Sequence, residues 1–219
     1  MILAIADVLS GADLEEVRRG LAGVAFVDGR ATAGWAVREV KANLQAREGR
    51  QVTRLRSLIE ARLLAHPVFA LAARPKQILG PLFSRYQAGH GYGTHVDDAL
   101  IAGVRTDVAF TIFLALPEQY EGGELIIDTA SGEEAFKLAA GSAVVYPATA
   151  LHRVAPVLGG ERLAAAGWVR SYIRDAVRRE LLFDLDTARR RLFAAHGKTQ
   201  EADLLAKCAS NLLRLWCED

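Results

Sequence analysis

The apolar positions of this chain change period twice. Near the start, Ser10 and Asp13 precede Leu14, Val17 and Leu21, spaced three and four apart. That spacing predicts a short helix in which Ser10 or Asp13 accepts the first free amides, with Gly23 and Gly29 breaking it. Val52, Leu55, Leu58, Ile59 and Leu63 repeat the helical period, with Arg54, Arg56, Glu60 and Arg62 between them. Residues 51–66 therefore read as an amphipathic helix ending before Pro67. From Lys76 to Tyr172 the runs are short, alternating or wholly apolar, and broken by Gly and Pro. They predict strands at 78–87, 93–97, 106–116, 123–128, 133–138, 142–147, 150–156 and 162–173. Gly122-Gly123 and Ala140-Gly141 fall at turns that need positive φ. This series fits a β-sandwich or barrel. Beyond Arg174 the helical period returns, with Leu181, Leu185, Ala188 and Leu192 in one stripe and Leu205, Cys208, Leu212 and Trp216 in another. Three segments result: an N-terminal helical support region (1–76), a β core (77–175) and a C-terminal helical domain (176–219).

A length of 219 residues suffices for one sizeable core with a small helical appendage. Lys plus Arg total 27 against 26 for Asp plus Glu, a formal charge of +1. No global field then recruits nucleic acid or an anionic membrane, and the expected partner is a small-molecule or peptide substrate. The apolar start, Met1 to Ala6, lacks a basic leader and meets Asp7, so it does not read as a signal peptide. No apolar run approaches the roughly 20 residues of a spanning helix. Cys208 and Cys217, in one predicted helix, cannot meet to bond. The expectation is a soluble, cytoplasmic protein without structural disulfides. Apolar stripes on the terminal helices would support a homodimer, and Arg178-Arg179 and Arg189-Arg190-Arg191 read as solvated helix faces.

Chemistry concentrates between Tyr86 and Arg162. His95-Val96-Asp97 is an H-x-D triplet in a strand-like segment, and residues two apart on a strand share a face. His95 and Asp97 can thus converge on one ion while Val96 and Asp98 turn away. An H-x-D triplet alone is more often a surface turn than a ligand pair. The pair leaves a metal under-coordinated, and His152, in another β-like run, can complete it. Two His and one carboxylate with open positions suit a non-haem Fe(II) oxygenase. Ten residues beyond His152, Arg162 could clamp a carboxylate bidentately.

The wider pattern is Arg85-Tyr86, Gly89, Tyr92, His95-x-Asp97, Glu121-Gly122-Gly123-Glu124-Leu125, Ala140-Gly141-Ser142, Tyr146-Pro147, Leu151-His152-Arg153-Val154 and Gly160-Glu161-Arg162. It resembles the Fe(II)/2-oxoglutarate-dependent prolyl and lysyl hydroxylase superfamily. More narrowly it resembles the bacterial PKHD-type hydroxylases, the group that includes the PiuC iron-uptake factor. Val27-Asp28-Gly29-Arg30 and Leu182-Phe183-Asp184-Leu185-Asp186 extend the likeness over nearly the whole chain. The resemblance implies an α+β fold: a double-stranded β-helix (jelly-roll) core, N-terminal helices packed on the sheet and a small C-terminal helical domain. It implies Fe(2+) held by His95, Asp97 and His152, and 2-oxoglutarate as cosubstrate, with L-ascorbate alongside. The activity implied is hydroxylation of a C–H bond with succinate and CO2 as co-products, in a setting of iron or siderophore uptake.

Under that resemblance Arg162 answers the cosubstrate's C5 carboxylate and Tyr86 lines its pocket. Tyr92 is a weaker candidate for that contact, with packing as its other reading. Related animal enzymes carry a second cosubstrate tyrosine that would align near Phe113, which has no hydroxyl. Related halogenases lose the carboxylate that Asp97 supplies, so its presence favours hydroxylation. His66, His90 and His196 read as surface or cap residues, and Trp35, Trp168 and Trp216 as core. The alternative is a cupin-like metal-binding protein or an iron-responsive non-catalytic module that does not use 2-oxoglutarate, which would leave Arg162 idle.

Overall fold

The computed structural model describes residues 1–32, 34 and 37–218. Trp35 lies outside them. Strand β1 (Leu3–Ile5) leads into helix α1 (Gly11–Ala22). The Ser10 hydroxyl accepts from the Asp13 amide, and the Asp13 carboxylate accepts from the Ser10 amide, so the two residues cap the helix reciprocally until Gly23 closes it. Three short strands follow, β2 (Phe26–Asp28), β3 (Lys41–Ala42) and β4 (Leu44–Ala46). Then come α2 (Arg50–Ala65) and α3 (Pro67–Ala73), where Pro67 sits in a first turn whose amide needs no partner.

The core continues through β5 (Pro75–Gln87), β6 (Gly91–His95), the hairpin β7 (Leu100–Ile101) and β8 (Val104–Arg105), and β9 (Val108–Phe113). It is completed by β10 (Tyr120–Gly122), β11 (Leu125–Thr129), β12 (Gly132–Phe136), β13 (Ala143–Pro147), β14 (His152–Val154) and β15 (Val157–Ser171). Helices α4 (Ala176–His196) and α5 (Gln200–Trp216) end the chain. The larger sheet runs β1-β13-β9-β15-β5-β4-β2, with β10 also paired to β15, and the smaller runs β12-β11-β14-β6-β3. This is the expected jelly-roll core.

Side-chain alternation on the larger sheet separates two apolar layers. On β9, Phe110 and Ile112 face α1 and α2 and pack with Val17, Leu21, Leu55, Ile59 and Leu63. Ala109 and Phe113 face the opposite way, toward Leu125, Ile127, Val144 and Tyr146. On β15, Leu163, Ala165 and Val169 join the helix side, while Arg162, Ala164 and Trp168 point between the sheets. The N-terminal helices are thus the outer cover of the sheet whose inner face builds a cavity.

Several expected boundaries move. The segment 1–76 is not purely helical, because β1 to β4 join the two sheets; strands of two or three residues carry too little alternation to be read. The predicted 123–128 strand is β11, which begins only at Leu125, and the unpredicted β10 precedes it; Gly122 and Gly123 at their junction both have φ +68°, and Gly141 has φ +90°. The predicted 93–97 strand is β6, which stops at His95. In α4 the buried line is Arg179, Leu182 and Asp186, whereas Leu181 and Ala188 are exposed. Arg179 is therefore no solvated group: it donates to the carbonyls of Ile173 (2.7 Å) and Arg174 (2.8 Å). Cys208 is exposed rather than part of the α5 core, which is Ala202 and Ala209. Cys208 and Cys217 are both free, and no described helix is long and apolar enough to cross a membrane.

Candidate metal centre

His95 ends β6, His152 begins β14, and antiparallel pairing sets the two residues directly opposite each other in the smaller sheet. Asp97 follows two residues later. Regular pairing has stopped there, yet the alternation persists: Val96 is 49% exposed and Asp98 is exposed, whereas the side chain of Asp97 is only 8% exposed. Each residue of the triad offers a ligand atom, and these atoms all lie within 4.8 Å of one another. His152 Nε2 stands 3.8 Å from Asp97 Oδ1.

Both rings are oriented by the backbone. Nδ1 of His95 lies 2.8 Å from the Gly93 carbonyl, and Nδ1 of His152 lies 3.0 Å from the Ala150 carbonyl. A carbonyl can only accept, so each Nδ1 carries the proton and each Nε2 presents its lone pair. Tyr92 stacks on His95 at 3.8 Å between centroids, and Tyr146 meets His152 edge-on at 5.1 Å. Tyr92 thus packs on the ligand ring, and it also lines the cavity. Burial, reinforced by His152, pushes the His95 imidazole down to about 4, which keeps it neutral. Burial raises the Asp97 carboxyl, against the opposing pull of His152 and of a hydrogen bond from Trp168. Oδ2 of Asp97 is buried with no hydrogen-bond partner. A buried carboxylate oxygen beside the Nε2 edges of two imidazoles, with no hydrogen-bond partner of its own, lacks a cation, so the residues present fit a divalent ion.

The same cavity, about 580 Å³, holds Arg162 on its opposite wall. Arg162 is 2% exposed, and its Nε and Nη2 have no hydrogen-bond partner. Its guanidinium lies 5.0 Å from the Tyr86 ring and 5.6 Å from that of Phe113. Phe113 therefore supplies a ring face beside Arg162 where a hydroxyl was doubtful. Tyr86 is buried beside Asn43 and Ser84, and burial raises its phenol despite the nearby Arg162. An arginine buried to this degree without an anion fits a missing carboxylate.

Residues 81–170 match the 2OG-Fe(II) oxygenase superfamily, and residues 175–218 match the PKHD-type hydroxylase C-terminal domain. A PKHD-type hydroxylase of Acaryochloris marina is 52% identical over 219 residues, covering all of both chains. One from Gloeothece citriformis is 49% identical over 220 residues, again covering both completely. The chain belongs to the PKHD-type hydroxylases of the 2OG-Fe(II) oxygenase superfamily. It is a 2-oxoglutarate-dependent dioxygenase. Solved structures agree on the fold of this PKHD-type chain. A Pseudomonas putida prolyl-4-hydroxylase aligns with TM-score 0.54 at 21% identity, over 78% of this chain and 92% of its own. A viral collagen prolyl hydroxylase from Paramecium Bursaria Chlorella virus-1 aligns with TM-score 0.54 at 17% identity, over 78% and 95%.

His95, Asp97, His152, Arg162 and Tyr86 all line this one cavity of the PKHD-type enzyme. Several other lining residues escaped the sequence. Trp168 binds Asp97 instead of serving only as core, Tyr146 packs on His152, and Thr32, Lys41, Asn43 and Gln45 reach the cavity from the N-terminal segment. Trp168 alone carried a signal, since it shares the even-numbered face of β15 with Arg162.

Proposed function

We propose that His95, Asp97 and His152 hold Fe(2+), that Arg162 binds the C5 carboxylate of 2-oxoglutarate, and that Tyr86 lines the cosubstrate pocket. The observation that carries this reading is the buried Arg162, with Nε and Nη2 unbonded and no carboxylate paired with it, in the same cavity as the triad. Bound Fe(2+) with 2-oxoglutarate supplies oxidative decarboxylation of the cosubstrate to succinate and CO2, with one atom of O2 delivered to a substrate C–H bond.

The chain's own part is orientation and exclusion of water. The Gly93 and Ala150 carbonyls fix the tautomers of the two histidines, Trp168 holds Asp97, and Tyr92 and Tyr146 immobilise the rings. The Arg162 fork fixes one end of the dicarboxylate, and Leu125, Ala109 and Ala164 give the cavity floor an apolar lining. A cupin-like or non-catalytic role would leave Arg162 a buried cation with no counter-anion, its burial offset only by the Tyr86 and Phe113 rings and by Tyr120.

In this reading 77–175 is the catalytic core, 1–76 supports it and 176–219 is a helical domain. The substrate is a small molecule or peptide, the enzyme is cytoplasmic and L-ascorbate assists it; the iron-uptake setting rests on the family resemblance. Exposed Leu181, Phe193, Leu204 and Leu215 on α4 and α5 fit a homodimer, which sedimentation would test. The central test is anaerobic reconstitution with Fe(2+) and 2-oxoglutarate, then O2 and candidate substrates. Succinate release dependent on both is expected. Failure to bind 2-oxoglutarate would overturn the reading.

A further inference from the structure

We propose that Lys41 receives a carboxylate of the substrate, so that the molecule hydroxylated is an organic acid. The inference rests on the assignment of the triad and Arg162 to metal and cosubstrate.

Lys41 is 6% exposed, yet it lines the cavity from β3, directly across from Tyr92. Its ammonium lies 5.2 Å from the Tyr92 ring and donates to Thr32 Oγ1 at 3.0 Å. The Thr32 hydroxyl is directed in turn at Gln45 Oε1 (2.6 Å) and the Gly29 carbonyl (3.0 Å). Among the described residues no carboxylate lies within ion-pair distance of Lys41. Two acids act on it from farther off, Asp28 and Asp97. Asp28 is already gripped by Arg30 through Nε at 2.8 Å and Nη2 at 2.6 Å, and Asp97 belongs to the metal site.

The other charges on the cavity wall are accounted for, Asp98 being exposed to solvent and in no ion pair with Lys41. A dication, Asp97, Arg162 and a dicarboxylate cosubstrate sum to zero, and Arg56, also on the cavity wall, is paired with Glu48 at 2.8 Å. Lys41 alone remains as a buried cation in search of an anion, and its amine is pushed down to about 8 by that burial. A single ammonium with one hydroxyl beside it suits a singly charged carboxylate; it lacks the fork or helix N-terminus that a dianionic phosphate recruits. At the mouth, Val96 and Leu100 are exposed, and Ile101 lines the cavity beside them. These give the acid's apolar body a surface.

The test uses the anaerobic Fe(2+)–2-oxoglutarate protein and matched pairs of carboxylic acids and their primary amides, 4-phenylbutyrate with 4-phenylbutyramide and N-acetyl-leucine with N-acetyl-leucinamide. Binding is read by calorimetry and by perturbation of the visible charge-transfer band. Wild type should prefer the acids about tenfold or more, as a charge-assisted hydrogen bond implies. Lys41→Met should erase the preference and Lys41→Arg should keep most of it, with 2-oxoglutarate affinity unchanged in both. An acid preference that survives Lys41→Met, or no preference in wild type across the pairs, overturns the proposal. So does a loss of 2-oxoglutarate affinity in Lys41→Met as large as that in Arg162→Lys, which would assign Lys41 to the cosubstrate. Should Lys41→Met fail to fold, the wild-type preference and its retention in Lys41→Arg still decide. Wild type that binds no 2-oxoglutarate fails earlier, before any acid is added, and sinks the reading beneath this one.

Discussion

Two clusters of buried charge lie on either side of the larger sheet's end, and they differ in what they lack. Behind the sheet, Asp186 of α4 is held by Arg74 and by Arg189 (2.8 Å), and Asp107 accepts from Arg105 Nε (2.7 Å) and the Ser171 amide (2.8 Å). Arg179 spends its N–H groups on carbonyls. In the cavity, Asp97 keeps a free oxygen and Arg162 two free nitrogens. Burial of charge is common to both. The rear cluster pairs both of its carboxylates internally, leaving only Nε of Arg74 buried without a partner, and ties the C-terminal helices to the core, whereas the front one closes only when ligands arrive. Unsatisfied valence, more than burial or charge, marks the functional region.

Asp97→Asn and Asp186→Ala should break this contrast in opposite ways if it is wrong. Asp97→Asn is expected to abolish stoichiometric iron and all succinate formation, because a neutral amide is a poor ligand for a hard cation. Without metal the same variant should melt no lower than wild type. The folded protein raises the Asp97 carboxyl above its unfolded value, so ionised Asp97 costs stability as pH rises through that window, and Asn removes the cost. Iron analysis and calorimetric melting of the metal-free protein check both halves.

Asp186→Ala should do the reverse. Leaving Arg74 buried without its anion is expected to cost about 3–5 kcal/mol in denaturant unfolding. Iron stoichiometry per folded molecule should stay that of wild type. Loss of iron from this variant while it remains folded would erase the division between the clusters.

Arg162→Lys sharpens the front half. It keeps the charge and loses the fork, so 2-oxoglutarate affinity should fall about 10- to 150-fold, equivalent to roughly 1.5–3 kcal/mol, with iron binding intact. Unchanged 2-oxoglutarate affinity by titration would remove Arg162 from the role. The smallest effect belongs to Asp98→Asn, adjacent to Asp97 but turned outward; iron binding and succinate turnover should both stay near wild type. Parallel iron loss in Asp98→Asn and Asp97→Asn would void the parity that separates them.

Much of this was legible in the order of residues. A period of two chose Asp97 over Asp98, and it held although β6 ends at His95, because burial on one side of the chain keeps constraining the next two residues. The same period, applied to β15, would have put Trp168 on the Arg162 face, although it reads in the sequence only as core. What could not be read was the contribution of β3 and β4, whose few residues carry no pattern, and with it the placement of Lys41 and Gln45. The rear cluster was missed for another reason. Arg179 and Asp186 occupy helix positions where charge normally means solvent, and only tertiary packing reverses that expectation.

The hairpin of β7 and β8 belongs to neither of the two main sheets, yet Leu100, Ile101 and Ala102 line the cavity. β15, by contrast, is constrained on both faces, by the helices on one side and the cosubstrate wall on the other. On the proposed reading, the apolar mouth and the core chemistry therefore sit on separately mutable parts of the chain. Libraries confined to residues 100–102 should then vary the apolar bodies accepted while the proposed iron, 2-oxoglutarate and Lys41 contacts are inherited unchanged, an arrangement that lets a lineage diversify its targets without relearning how to activate oxygen.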